Sequence, residues 1–282
     1  MSIQTLLGDV PSETFLGEYY QRLPFTLPQG ARAYCSLATW STVGELLGHT
    51  DADVMIVRDG RRYEGPDPET AEAAEALSAE GYTILVRHAE RNDPRLAELA
   101  IAFERDLGGA VDVHLYATPP GRHGFSWHYD AEDVFILQTT GRKEYSLRKN
   151  TVHPWPLVET IPEDMRYERE LMPLMKVLLS AGDWLYIPCG YWHKADAAGS
   201  DETAISLAVG VMAPAALDVL DFLRPRLAES LLWRQRLPVA TAAGAESAEQ
   251  IEANYREIFA QLGDDLRKLL RDESVLRAFL QR

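Results

Sequence analysis

A His-x-Asp triplet, His128-Tyr129-Asp130, is followed 63 residues after Asp130 by His193, in the turn Ile187-Pro188-Cys189-Gly190-Tyr191-Trp192-His193. No other feature constrains the folding of this chain as much. Side chains of an extended strand alternate between faces, so His128 and Asp130 point one way and Tyr129 the other. They can grip one ion together with His193 only if a second strand end folds back over them. The short aromatic and β-branched run Trp184-Leu185-Tyr186-Ile187 predicts that strand, and Pro188 with Gly190 turns the chain before His193. Two imidazoles and one carboxylate on one face of an octahedral ion leave three positions free, which suits non-haem Fe(II) and dioxygen. Taken alone, the three residues fit equally well two ordinary hydrogen-bonded histidines beside a sheet.

The neighbouring residues add chemistry. Val134-Phe135-Ile136-Leu137-Gln138 predicts a buried strand, Thr139-Thr140-Gly141-Arg142 a hairpin turn, and Lys143-Glu144-Tyr145-Ser146-Leu147 the returning strand. On such a strand Lys143 faces the barrel interior. A cation there suits the far carboxylate of a 2-oxo acid whose other end chelates iron, a contact stronger than a neutral hydrogen bond. Without the triad, a solvated lysine beside a hairpin would be the ordinary reading.

The run Leu115-Tyr116-Ala117-Thr118-Pro119-Pro120-Gly121-Arg122-His123-Gly124-Phe125-Ser126-Trp127-His128-Tyr129-Asp130, continuing through Asp133-Val134-Phe135-Ile136-Leu137-Gln138 to Gly141-Arg142-Lys143, resembles the JmjC-type, cupin-like ribosomal oxygenases. So do Phe15-Leu16-Gly17-Glu18-Tyr19-Tyr20 with Leu23-Pro24-Phe25 upstream, and Gly182-Asp183-Trp184 through His193-Lys194-Ala195 downstream. The resemblance covers about residues 12 to 240 with order and spacing kept. It implies a mainly β fold, a double-stranded β-helix (jelly roll) with added helices, that holds Fe(II) and 2-oxoglutarate. It also implies a dioxygenase that hydroxylates an amino-acid side chain of a protein or peptide. His128, Asp130 and His193 would be the metal ligands, Lys143 would hold the C5 carboxylate of 2-oxoglutarate, and Tyr116 would lie near the substrate mouth. Two positions depart from the pattern. His114 stands where an asparagine near the cosubstrate is expected, and Trp127 replaces a smaller residue, often proline. Both touch the pocket, so the substrate is expected to differ from that of the best-known relatives. Other classes remain open at this point: an oxygenase of small metabolites, a metal-binding cupin without oxygen chemistry, or a zinc enzyme, the last two giving Lys143 no purpose. Demethylation of methylated lysine or arginine begins with the same hydroxylation.

At 282 residues, 46% of them apolar, the chain can bury a full core. The expected organisation is a catalytic domain over residues 1–212, with an N-terminal α/β elaboration, and a helical region over 213–282. Helices are predicted near Ser12–Tyr20, over Thr70–Glu80, and over Pro94–Leu107. The last has Leu96, Leu99, Ala100, Phe103 and Leu107 at helical spacing, and Asp93 caps its start. Strands are predicted over Asp53–Val57, Tyr82–Val86 and Asp112–Thr118. After Pro214 the pattern predicts helices over Ala215–Leu223, Leu227–Leu237, Ala248–Leu262 and Asp264–Leu280, with Ala240–Ala245 as a linker. The apolar cluster Leu231-Leu232-Trp233 needs cover, either from the barrel or from a second copy in a homodimer. The winged-helix module common in the resembled family is expected to be missing or reduced here.

Two distant cysteines, Cys35 and Cys189, make a disulfide framework improbable and fit a reducing cytoplasm. Neither a secretory signal nor a membrane span is expected, because the longest apolar segment, Ala204–Leu217, is broken by Ser206 and Pro214. Of the net charge of −15, residues 1–212 carry −14. Such a surface repels nucleic acid and favours a basic protein or peptide partner, although a merely soluble acidic surface has the same composition.

Overall fold

The β-branched and aromatic runs form a double-stranded β-helix in the computed structural model, which describes residues 2–163, 174–199, 202–239 and 247–281. The strands are β1 (Phe25–Leu27), β2 (Asp53–Arg58), β3 (Arg61–Arg62), β4 (Thr83–Arg87), β5 (Ala110–Thr118), β6 (Asp133–Thr140), β7 (Arg142–Arg148), β8 (Met175–Ser180), β9 (Trp184–Ile187), β10 (Trp192–Ala198) and β11 (Ala204–Met212). Eight pair antiparallel in the order β1-β9-β6-β11-β5-β4-β2-β3, and a smaller antiparallel sheet has the order β10-β7-β8.

The hairpin expected at Thr139–Arg142 does not form. β6 pairs with β9 and β11, whereas β7 pairs with β8 and β10, so the chain passes from one sheet to the other at Gly141. The corner requires glycine: its φ is 64°, and a Cβ would lie 2.9 Å from the Thr203 carbonyl oxygen and 3.0 Å from Ala204 Cα. The local sequence specifies a tight turn, but which strands then pair depends on the ladders available to each side.

Sheet parity divides the buried residues into two groups. Val134 and Ile136 of β6, Leu185 and Ile187 of β9, and Tyr145 and Leu147 of β7 pack together between the sheets. Phe135 and Leu137 face the opposite way, into a larger core with the N-terminal elements. Because both faces of β6 are covered, its sequence is continuously apolar rather than alternating. The helix Pro94–Leu107 closes that larger core. Asp93 caps it by accepting from the Arg95 and Leu96 N–H groups, and Phe103 meets Phe135 edge to face at 5.0 Å. Leu96, Leu99 and Phe103 are fully buried, each contributing about 1.5–3 kcal/mol. The helix expected near Ser12–Tyr20 is a single α turn, Ser12–Thr14, that widens into a π turn over Phe15–Tyr19; the Tyr20 N–H donates to the Phe15 carbonyl at 2.9 Å. The wider turn leaves Phe15 fully buried against Trp184 and Tyr186.

The chain divides into two compact units, Met1–Ala213 and Pro214–Arg282. The second contains helices Asp218–Glu229, Leu231–Arg234, Ala248–Leu270 and Glu273–Leu280. One long helix therefore runs through Gly263, where a break was expected, and ends at Leu270 with Arg271 as its C-cap. A single glycine costs only about 1 kcal/mol, less than the packing of an amphipathic face returns. The Trp233 indole donates to Asp265 at 2.8 Å, while Leu231 is 77% exposed. The linker expected at Ala240–Ala245 lies outside the described residues. Cys35 and Cys189 are free thiols. Among the described residues no helix is long and apolar enough to cross a membrane.

Candidate active site

His128 and His193 meet through a two-way backbone bridge. The His128 N–H donates to the His193 carbonyl at 3.0 Å and the His193 N–H donates back at 2.8 Å. Sitting second in β10, His193 is carried to this bridge by the turn after β9. The two rings lie 4.2 Å apart between centroids, and His193 Nε2 is 3.4 Å from Asp130 Oδ2. One donor atom from each of His128, Asp130 and His193 lies within 4.8 Å of the others.

Proton placement follows from the partners. Nδ1 of His128 is 2.8 Å from the Ser126 carbonyl and Nδ1 of His193 is 3.0 Å from the Tyr191 carbonyl. A carbonyl oxygen only accepts, so each Nδ1 carries the proton and each Nε2 keeps its lone pair. Burial and the neighbouring His128 hold His193 well below the usual imidazole range, which keeps it neutral. Two Nε2 lone pairs and one carboxylate oxygen form a donor set that fits a ferrous ion.

The turn that brings His193 back is tied to the strand start below it. Asp133 accepts from the Tyr186 hydroxyl in a short hydrogen bond and from the Cys189 N–H at 3.2 Å. Cys189 Sγ contacts the Ala131 carbonyl at 3.3 Å, and the Gly190 N–H donates to the Asp130 carbonyl at 2.9 Å. These bonds join residues 130–133 to residues 186–190 independently of any metal. Sequence reasoning missed Asp133, since nothing local links it to a tyrosine 53 positions later. Asp133→Ala is expected to lower metal affinity roughly tenfold to a hundredfold by loosening the turn that presents His193. Cobalt titration measures this, and an unchanged affinity in the folded variant would show that the turn holds without Asp133.

Lys143 is inside. It pairs across β7 with Ala197 of β10 and Leu179 of β8, and only 4% of it is exposed. Its ammonium sits 5.2 Å over the ring of Tyr116, and no carboxylate pairs with it among the described residues. Burial pushes it down to about 8. One cavity of about 280 Å³ opens on His128, Asp130, His193, Lys143, Tyr116 and His114. His114 belongs to the same wall, but its Nε2 is directed at Asp112, 3.5 Å away. Tyr116 lies beside Lys143, edge to face with Phe125 at 6.5 Å. Trp127 precedes the first histidine of the bridge and does not line the cavity.

Residues 85–219 match the family model of the JmjC domain. The bifunctional lysine-specific demethylase and histidyl-hydroxylase NO66 of Drosophila mojavensis is 27% identical over 267 residues, covering 87% of this chain and 30% of that protein. Ribosomal oxygenase 1 of Gallus gallus is 24% identical, covering 94% of this chain and 47% of its own length. This chain thus spans less than half the length of either relative. Among solved structures, YcfD of Escherichia coli matches with a TM-score of 0.64 at 22% identity, over 89% of this chain and 67% of that one. The same protein, described as a ribosomal oxygenase in complex with cobalt and 2-oxoglutarate, matches with a TM-score of 0.63, over 90% of this chain and 67% of that one.

Proposed function

We propose that this chain, whose residues 85–219 match the JmjC domain, is an Fe(II)- and 2-oxoglutarate-dependent oxygenase that hydroxylates an amino-acid side chain of a protein or peptide. The observation that carries this reading is one cavity holding both a two-histidine, one-carboxylate donor set and a buried ammonium with no carboxylate of its own. The relatives named for histidyl hydroxylation and ribosomal oxygenation, and the neighbour solved with cobalt and 2-oxoglutarate, support the same reading.

When bound together, iron and 2-oxoglutarate supply oxidative decarboxylation to succinate and carbon dioxide, with one oxygen atom passed to the substrate. The chain supplies position and exclusion. His128 Nε2, His193 Nε2 and an Asp130 oxygen would hold the ion, and the carbonyls of Ser126 and Tyr191 fix both ring orientations. Lys143 pairs with the distal carboxylate, which offsets the cost of burying its charge. Val134, Ile136 and Ala208 line the cavity with apolar surface, strengthening that pairing by keeping water out.

The acidic balance of residues 1–212 favours a basic peptide segment as substrate. The exposed Leu231 supports a role for the helical unit 214–282 in homodimer formation. Two free thiols support a reducing, cytoplasmic setting. The test is to incubate iron-loaded protein and 2-oxoglutarate with lysate of its own host and search by mass spectrometry for peptides heavier by one oxygen atom. Such peptides, absent without 2-oxoglutarate, are expected. Their absence, together with no lysate-stimulated succinate release, would overturn the proposal.

A further inference from the structure

A second set of donors stands beside the same cavity, which Asp112 and His114 line. Asp112 and His114 share the inward face of β5 because they are two residues apart, and His88, just past β4, stands against them. The His88 and His114 rings meet edge to face at 5.4 Å. His114 Nε2 is 3.5 Å from Asp112 Oδ1, and His88 Nδ1 is 3.8 Å from Asp112 Oδ2. One donor atom from each of the three residues lies within 4.8 Å of the others.

Their hydrogen-bonding state is the decisive observation. His88 Nδ1, Asp112 Oδ1 and His114 Nε2 are all sealed from solvent, and none has a hydrogen-bond partner. An unpaired buried polar atom is costly, and an ion bound among these three residues would relieve all three. Carboxylates fill the space over the neighbouring strand. Gly210 of β11 lies opposite Asp112, and a Cβ there would collide with both Glu132 Oε2 and Asp112 Oδ1. His88 is held in left-handed backbone, φ 50°, which a residue with a Cβ adopts only when its surroundings enforce it. The guanidinium on this wall, Arg87, is engaged by Asp53 at 2.6 Å.

We propose that His88, Asp112 and His114 bind a second divalent transition-metal ion, distinct from any held by His128, Asp130 and His193. Two imidazoles and one carboxylate are a borderline donor set that selects zinc, cobalt, manganese or ferrous ions over magnesium and calcium, which take oxygen ligands. The ion ties the segment after β4 to β5 and β11 and places positive charge beside the pocket. The proposal does not depend on the oxygenase reading.

Cobalt(II) titration of the full chain tests it, read by the visible absorption of the bound ion and by metal content after desalting. In His128→Ala/His193→Ala, one equivalent of cobalt is expected to bind, to be displaced by zinc, and to raise the melting temperature. Adding His88→Ala/His114→Ala removes that equivalent. Adding the near-isosteric Asp112→Asn, which keeps the packing, weakens it at least about tenfold. Circular dichroism shows which variants are folded, and Asp112→Asn decides if the histidine pair is not. No cobalt on the folded His128→Ala/His193→Ala background would overturn the proposal, as would cobalt bound equally well after Asp112→Asn. In the otherwise unmutated chain, cobalt lost only through His128→Ala/His193→Ala would overturn the second site and leave the first standing.

Discussion

Turnover is lost when His128 or Asp130 is replaced by alanine. Each substitution removes one of three donors that converge within 4.8 Å, and a three-donor site cannot hold a reactive ion with two. The expected loss in substrate-dependent succinate release is on the order of a thousandfold or more, which corresponds to about 4 kcal/mol of barrier. Fold is not at stake at Asp130, whose side chain is 38% exposed. Succinate release that persists in the folded variants, and still responds to substrate, would remove the triad from the chemistry.

Replacing Lys143 by methionine is expected to raise two measured quantities. The 2-oxoglutarate requirement rises, because a truncated buried charge pair costs about 2–5 kcal/mol, or roughly thirtyfold and upward in affinity. Stability of the ligand-free protein also rises. Burial lowers the Lys143 ammonium from 10.5 to about 8, so the folded state binds its proton less tightly than the unfolded chain does. The resulting cost is fully present below about pH 8 and fades as pH climbs towards 10.5. Removing it at pH 7 stabilises the fold by on the order of 3 kcal/mol, visible as a higher melting temperature. The same titration predicts that 2-oxoglutarate affinity in the unmutated chain weakens above about pH 8, as the ammonium loses its proton. Lys143→Arg, charged throughout, flattens that pH dependence. An unchanged 2-oxoglutarate requirement in Lys143→Met would mean that the carboxylate is held elsewhere.

Strand parity made much of this site legible in the sequence. Lys143, Tyr145 and Leu147 alternate inward along β7, whereas His128 and Asp130 lie outside the named strands, His128 in an isolated bridge to His193. Helix Pro94–Leu107 was equally plain, since its apolar spacing, its Asp93 cap and its first-turn proline agree. The corner at Gly141 was not legible. Thr139–Arg142 reads as a turn in either topology, and only the pairing of β6 with β11 and of β7 with β10 sends the two strands into different sheets. The helix continues through Gly263, where a break is expected, because the continuous amphipathic face around it outweighs one weak helix former.

The sequence by itself determined which side chains share a face, because alternation along a strand is a property of the local backbone. On β7 it places Lys143, Tyr145 and Leu147 on one face. Only the tertiary structure decided which faces meet. The bridge that joins His128 to His193, the bond between Asp133 and Tyr186, and the approach of His88 and Glu132 to β5 all link residues far apart in the chain. Such contacts are fixed by sheet order and by the packing of both cores, which no single segment encodes.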